Sequence, residues 1–164
     1  AAHERILYES LLASALQREA VSQTLIFPVT LHLTLQEAEL MEKHLQDFQK
    51  MGFGINPLAG KSFSIDAVPA CMAGIDAQAV LRDCLHELME GSGMRSFKNH
   101  QEALAAILAC KTYTVKAGRQ LDLQEMQHLI TTLGTQENPH VCPHGRPTFF
   151  TITRDELERR FKRT

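Results

Sequence analysis

The run Ala103-Leu104-Ala105-Ala106-Ile107-Leu108-Ala109 has no polar side chain over seven positions, and it constrains the fold more than any other stretch. Alanine and leucine are strong helix formers. A helix that is apolar all round has no face to give to water, so it belongs at the centre with other elements packed on it. The segment reads as an Ala-rich buried helix from about Asn99 towards Gly118, with Cys110 in its second half. Partners for it are present: Ile6, Leu7, Leu11, Leu12, Ala15 and Leu16 recur at helical spacing near the start of the chain. An apolar fraction of 44% over 164 residues is enough to close a core around them.

Between these helices the period changes. Val29, Leu31 and Leu33 alternate with Thr30, His32 and Thr34, which predicts a half-buried strand. Thr34 with Glu37, and Asp122 with Glu125, have capping-box spacing and open helices running to about Lys50 and Thr132, stopped by Gly52 and Gly134. Short strands are expected at 53–56 and 62–68, around a turn with Pro57 and Gly60. Asp76 caps a helix carrying Leu81, Leu85 and Leu88, and GSG at 91–93 breaks it. A strand at 148–152 and a last helix capped by Thr153 complete a mixed α/β (α+β) order. Met41, Met51, Met89 and Met126 read as core filling, and His32, His44, His86, His100 and His128 as surface or helix-face residues.

Seventeen basic against nineteen acidic residues exclude the broad positive field of a dedicated nucleic-acid binder. Four irregularly spaced cysteines and no secretory segment favour a reducing cytoplasmic setting over a disulfide framework. No apolar run approaches the roughly 20 residues of a membrane-spanning helix.

The stretch HVCPHGRPT at 140–148 carries the chemistry. Cys142 and His144 are borderline-soft metal ligands two positions apart. Pro143 and Pro147 restrict the backbone around them, and Gly145 permits a sharp turn. Arg146 adds a planar cation suited to a carboxylate or a phosphate. The pattern is equally compatible with a turn whose Cys is buried and whose His is solvated. If it is half a metal site, Cys110 and Glu4 are the candidates for the remainder.

HVCPHGRPT, with ACKTYTVKAG before it and AAHERILYE at the start, closely resembles the C-terminal domain of the endonuclease-bearing MutL family of bacterial mismatch repair, over essentially the whole chain. Glu4 and Glu9 match the two glutamates of that family's Asp-Gln-His-Ala-x-x-Glu-x-x-x-x-Glu motif, from its Ala onwards. Ala109-Cys110-Lys111 matches an Ala-Cys-Arg-like motif with one departure. Residues 142–147 match Cys-Pro-His-Gly-Arg-Pro in full, and Phe161-Lys162-Arg163 matches a final Phe-x-Arg. The Asp, Gln and His of the first motif would precede Ala1, so the start reads as a truncation and the fragment alone is expected to nick DNA weakly or not at all.

The resemblance implies a two-lobed domain: 1–22 with 100–164 as a dimerisation and endonuclease lobe, and 23–99 as an inserted regulatory lobe. It implies a site for Zn2+ and/or Mn2+ held by Glu4, Cys110, Cys142 and His144, with Glu4 nearest the chemistry, and nicking of one strand of duplex DNA. Lys111 and Arg146, with Lys116 and Arg119, are candidate phosphate contacts. ATP would enter only through a separate N-terminal domain. Gln23, Ile26, Phe27 and Pro28 resemble the short motif that docks the DNA sliding clamp, although the same residues could begin a core strand. The implied partners are a second copy, the clamp, duplex DNA and a MutS-type mismatch sensor, in a cytoplasmic, nucleoid-associated setting with no membrane. The competing class is a non-catalytic dimerisation and docking module with a structural zinc.

Overall fold

The computed structural model describes residues 1–17, 21–91, 97–112, 115 and 118–162. Chain order is α1 (Ala2–Gln17), β1 (Ser22–His32), α2 (Leu35–Lys50), β2 (Gly54–Pro57), β3 (Ser62–Pro69), a 3-10 turn (Ala70–Met72), α3 (Ala77–Glu90), α4 (His100–Lys111), α5 (Leu123–Gly134) and α6 (Arg154–Arg160). The fold is mixed α/β, with six α-helices and one three-stranded antiparallel sheet among the described residues.

The apolar run forms the central helix. Every residue from Ala103 to Ala109 is buried, with α1 and α3 packed on α4. One buried cluster joins Leu11 of α1, Met41 and Phe48 of α2, Ile55, Phe63 and Ile65 of the sheet, Leu81 and Leu85 of α3, and Leu104 and Leu108 of α4. Truncating a side chain such as Leu104 to Ala there costs roughly 2–5 kcal/mol. Among the described residues no helix is long and apolar enough to cross a membrane.

Both capping boxes close: Thr34 and Asp122 each accept from the amide three positions on, while Glu37 and Glu125 return to the cap amides. Asp76 and Thr153 cap α3 and α6 in the same sense.

The sheet order is β1-β3-β2, so β1 is an edge. Its register with β3 slips between Thr24, opposite Ala67, and Val29, opposite Ile65, leaving residues 25–28 of β1 facing Asp66 alone. Pro28 has no amide to give to a ladder, which suits it to such a bulge. On the other side of β3, Gly54 lies so close to the Asp66 side chain that a Cβ would stand 1.9 Å from it.

Four expectations need correction. No strand forms at 148–152; among the described residues no strand runs beside it, so its backbone has no ladder to join, and Phe149 and Phe150 are exposed. Helix α4 ends at Lys111 rather than near Gly118, because Thr112 turns extended and its hydroxyl bonds the Leu108 carbonyl. The β-branched and aromatic residues that follow are weak helix formers. His44 is buried, its ring against His100 and its Nδ1 3.6 Å from Asp47. Met41 and Met51 lie in the core, but Met89 and Met126 are exposed.

Candidate metal centre

The loop after α5 is a small hairpin. The Cys142 amide donates to the Arg146 carbonyl (2.8 Å), the Gly145 amide to the Cys142 carbonyl (2.9 Å) and the Thr148 amide to the His140 carbonyl (3.0 Å). This is the three-residue hairpin pattern, with Pro143 at the first turn position and Gly145 left-handed at φ 80° where a side chain would be strained. The turn sends Cys142 inward, 1% exposed, and leaves His144 at the surface.

Helix α1 approaches from the other end of the chain. Donor atoms of Glu4, Cys142 and His144 all lie within 4.8 Å of one another. Cys110, the penultimate residue of α4, places its Sγ 3.3 Å from His144 Nδ1. The Phe97 ring stands edge-on to the same imidazole at 6.3 Å. One carboxylate, one sulfur and one imidazole thus converge, with the Cys110 sulfur standing against the imidazole. Zinc ligands bound at about 2.0–2.3 Å stand roughly 3.3–3.8 Å apart, so the Glu4, Cys142 and His144 donors need only small adjustments to close on an ion. The donor set fits a dication chemically.

Burial, with Glu4 and Cys142 nearby, pushes the Cys110 thiol up to about 11. A dication among these groups would offset that penalty, since a coordinating thiol loses its proton. His3 faces away: its Nδ1 accepts from the Val115 amide (3.1 Å), and burial followed by the Arg119 charge lowers its pKa.

The expected phosphate contacts divide. Lys111 pairs with Glu87 (3.0 Å) and Arg119 with Glu125 (2.8 Å). Arg146 is exposed at the rim, close enough to lower the Cys110 pKa. Lys116 and Arg163 lie outside the described residues. Far from this cluster in sequence, Ile26 and Phe27 project from the β1 bulge, 91% and 80% exposed, with Gln23 and Pro28 exposed beside them.

Of two further residues at the site, Arg5 escaped sequence reasoning, and Glu9 was matched as a motif position without a role. Arg5 is buried, its Nε donating to the Val141 carbonyl across 136 positions (2.6 Å), with Cζ 5.1 Å above the Tyr8 ring. Glu9 accepts from the Glu137 amide (2.7 Å) and the Asn138 amide (3.2 Å). Their i, i+4 spacing on α1 was the available signal.

Residues 1–121 match the family described as "MutL C terminal dimerisation domain". Curated proteins named "DNA mismatch repair protein MutL" are similar over nearly the whole chain. The one from Gemmatimonas aurantiaca is 43% identical over 162 residues, covering 99% of this chain and 26% of its own length. That from Desulforamulus reducens is 38% identical, covering 99% and 25%, and that from Ralstonia nicotianae 37%, covering 99% and 26%. The chain therefore spans about a quarter of the length of the curated relatives it matches.

Proposed function

This chain belongs to the MutL C-terminal dimerisation domain family, and on that footing we propose that it is the metal-dependent DNA-nicking and dimerisation module of a mismatch-repair protein. The observation that carries this reading is the convergence of Glu4, Cys142 and His144, with Cys110 against the imidazole. Zn2+ or Mn2+ is the group these donors suit, the sulfurs favouring zinc and the carboxylate admitting manganese. Once bound, a dication polarises a phosphodiester and makes water a stronger nucleophile.

The chain's own residues supply the rest. Cys110, Cys142 and His144 hold the ion, and Glu4 is the carboxylate at the edge where a phosphodiester would enter. Arg146 offers an exposed planar cation to a phosphate, a role Lys111 shares only by giving up Glu87. Gln23, Ile26, Phe27 and Pro28 dock a sliding clamp, with the two exposed apolar side chains as anchors. Such tethering raises the local concentration of a near-neutral domain on DNA. Leu123, Met126 and Ile130, exposed on one face of α5, are the apolar surface a second copy would cover. In this reading 1–22 and 100–164 form the dimerisation and endonuclease lobe, and 23–99 the regulatory one. ATP and the MutS-type sensor act through other parts of the whole protein, in the cytoplasm at the nucleoid.

The test is metal content. The chain should bind close to one equivalent of Zn2+ or Co2+, Cys142→Ser and His144→Ala should lose most of it, and in the whole protein both should abolish Mn2+-dependent nicking of supercoiled plasmid. Full metal content and nicking in Cys142→Ser would sink the reading. The burial of Cys142 and the two sulfurs also suit a structural zinc. Metal retention without nicking by the whole protein would favour that second reading.

A further inference from the structure

We propose that Arg5 and Glu9 are positioning residues that lock the Cys142–His144 loop to helix α1, so that the same helix which presents Glu4 also sets the distance to the other ligands. The inference rests on the metal reading of that site and concerns residues that would not touch the ion.

The loop has little apolar packing of its own. From residue 118 onward the only buried side chains among the described residues are Leu133 and Cys142. Polar contacts hold it instead. Both carboxylate oxygens of Glu9 are engaged, one on the Glu137 amide and one on the Asn138 amide, three and four residues past the end of α5. Three residues further on, Arg5 Nε holds the Val141 carbonyl, directly before Cys142. Arg5 Nη1 in turn lies 3.5 Å from Glu9, and its plane rests on Tyr8. The strap 137–141 is therefore fixed to α1 at both ends, and the Thr148 hydroxyl on the Pro139 carbonyl ties it from the far side.

Geometry explains why this arrangement suits a ligand site. Arg5 and Glu9 share one face of α1, four residues apart, and Glu4 is the neighbour of Arg5 in sequence. A helix is rigid over one turn, so two charge-assisted grips on the strap fix where the hairpin sits relative to the Glu4 carboxylate. Ligands held this way stay within the few tenths of an ångström a dication tolerates, as partners of metal ligands characteristically ensure.

Two measurements on Arg5→Lys and Glu9→Gln test this. The first is amide hydrogen exchange in the metal-free chain: Cys142, Gly145 and Thr148 amides should exchange at least tenfold faster, while α4 amides keep their protection. The second is cobalt(II) titration: affinity should fall tenfold or more, with weakened thiolate-to-cobalt charge-transfer bands. The double substitution should lose little beyond either single one, because the two side chains act as a unit. Should Arg5→Lys fail to fold, Glu9→Gln, an isosteric change at a partly exposed side chain, carries the test alone. Unchanged loop exchange with wild-type cobalt affinity in a folded variant overturns the proposal. So does exchange that accelerates equally in α4, which would make the pair a matter of global stability. If the wild-type chain takes up no cobalt, the metal reading fails, and the exchange result alone decides whether the two side chains hold the loop.

Discussion

Cys110 Sγ lies 3.3 Å from His144 Nδ1, although 34 positions separate the two residues. The contact joins the end of the central helix to the tip of the hairpin, so in the proposed metal site a fourth donor would come from the most buried element of the fold. Cys110→Ala should therefore lower zinc affinity at least tenfold, while Cys84→Ala, a core cysteine with no part in the cluster, should leave it unchanged. Zinc content after dialysis against a weak chelator checks both.

At the β1 bulge the proposed docking role can be tested apart from folding. Because Ile26 and Phe27 face solvent, the double substitution to Ala should change unfolding free energy by no more than about 0.5 kcal/mol. Binding of the bacterial sliding clamp, followed by surface plasmon resonance, should fall at least tenfold; unchanged binding would remove the docking role.

Apolar side chains at 123, 126 and 130 share one face of α5 and meet nothing among the described residues that buries them. Ile130→Glu should shift the chain from dimer to monomer in light scattering with its helical content intact. A persistent dimer would move the interface elsewhere.

Burial lowers the pKa of His44 below the usual 6.5, only partly countered by Asp47, with Lys43 and His100 pushing the same way as burial. The folded state thus holds His44 neutral while the unfolded chain takes up a proton near pH 6.5. The resulting stability is present above that value and is lost as pH falls from about 6.5 towards the lowered folded pKa. Urea midpoints between pH 7.5 and 5 should decline, and His44→Gln should flatten that decline.

Local signals in the sequence translated directly into structure. Thr34 with Glu37 and Asp122 with Glu125 predicted caps because each depends on four consecutive residues. Cys142, Pro143, His144 and Gly145 announced a tight loop for the same reason. Arg5 was silent and Glu9 was marked only by its motif place, since their partners are backbone atoms of residues 137, 138 and 141, and no side-chain pattern records a backbone partner. His44 looked like a surface or helix-face histidine because nothing local records that the start of α4, at His100 and Gln101, meets α2 beside it, a tertiary event. The strand expected at 148–152 failed for the converse reason: its β-branched and aromatic residues suit a strand, but a strand exists only with a neighbour.

Glu4 belongs to the first helix and Cys142 to the last loop, so an ion held by both would cross-link the chain across a loop of roughly 140 residues. Closing so long a loop in the unfolded ensemble removes entropy on the scale of about 4–5 kcal/mol, by analogy with a disulfide spanning a similar length. Everything between the two ligands, the central helix included, would then share in that restraint. Metal supply would set not only whether the site reacts but how long the domain survives heat, chelators and proteases.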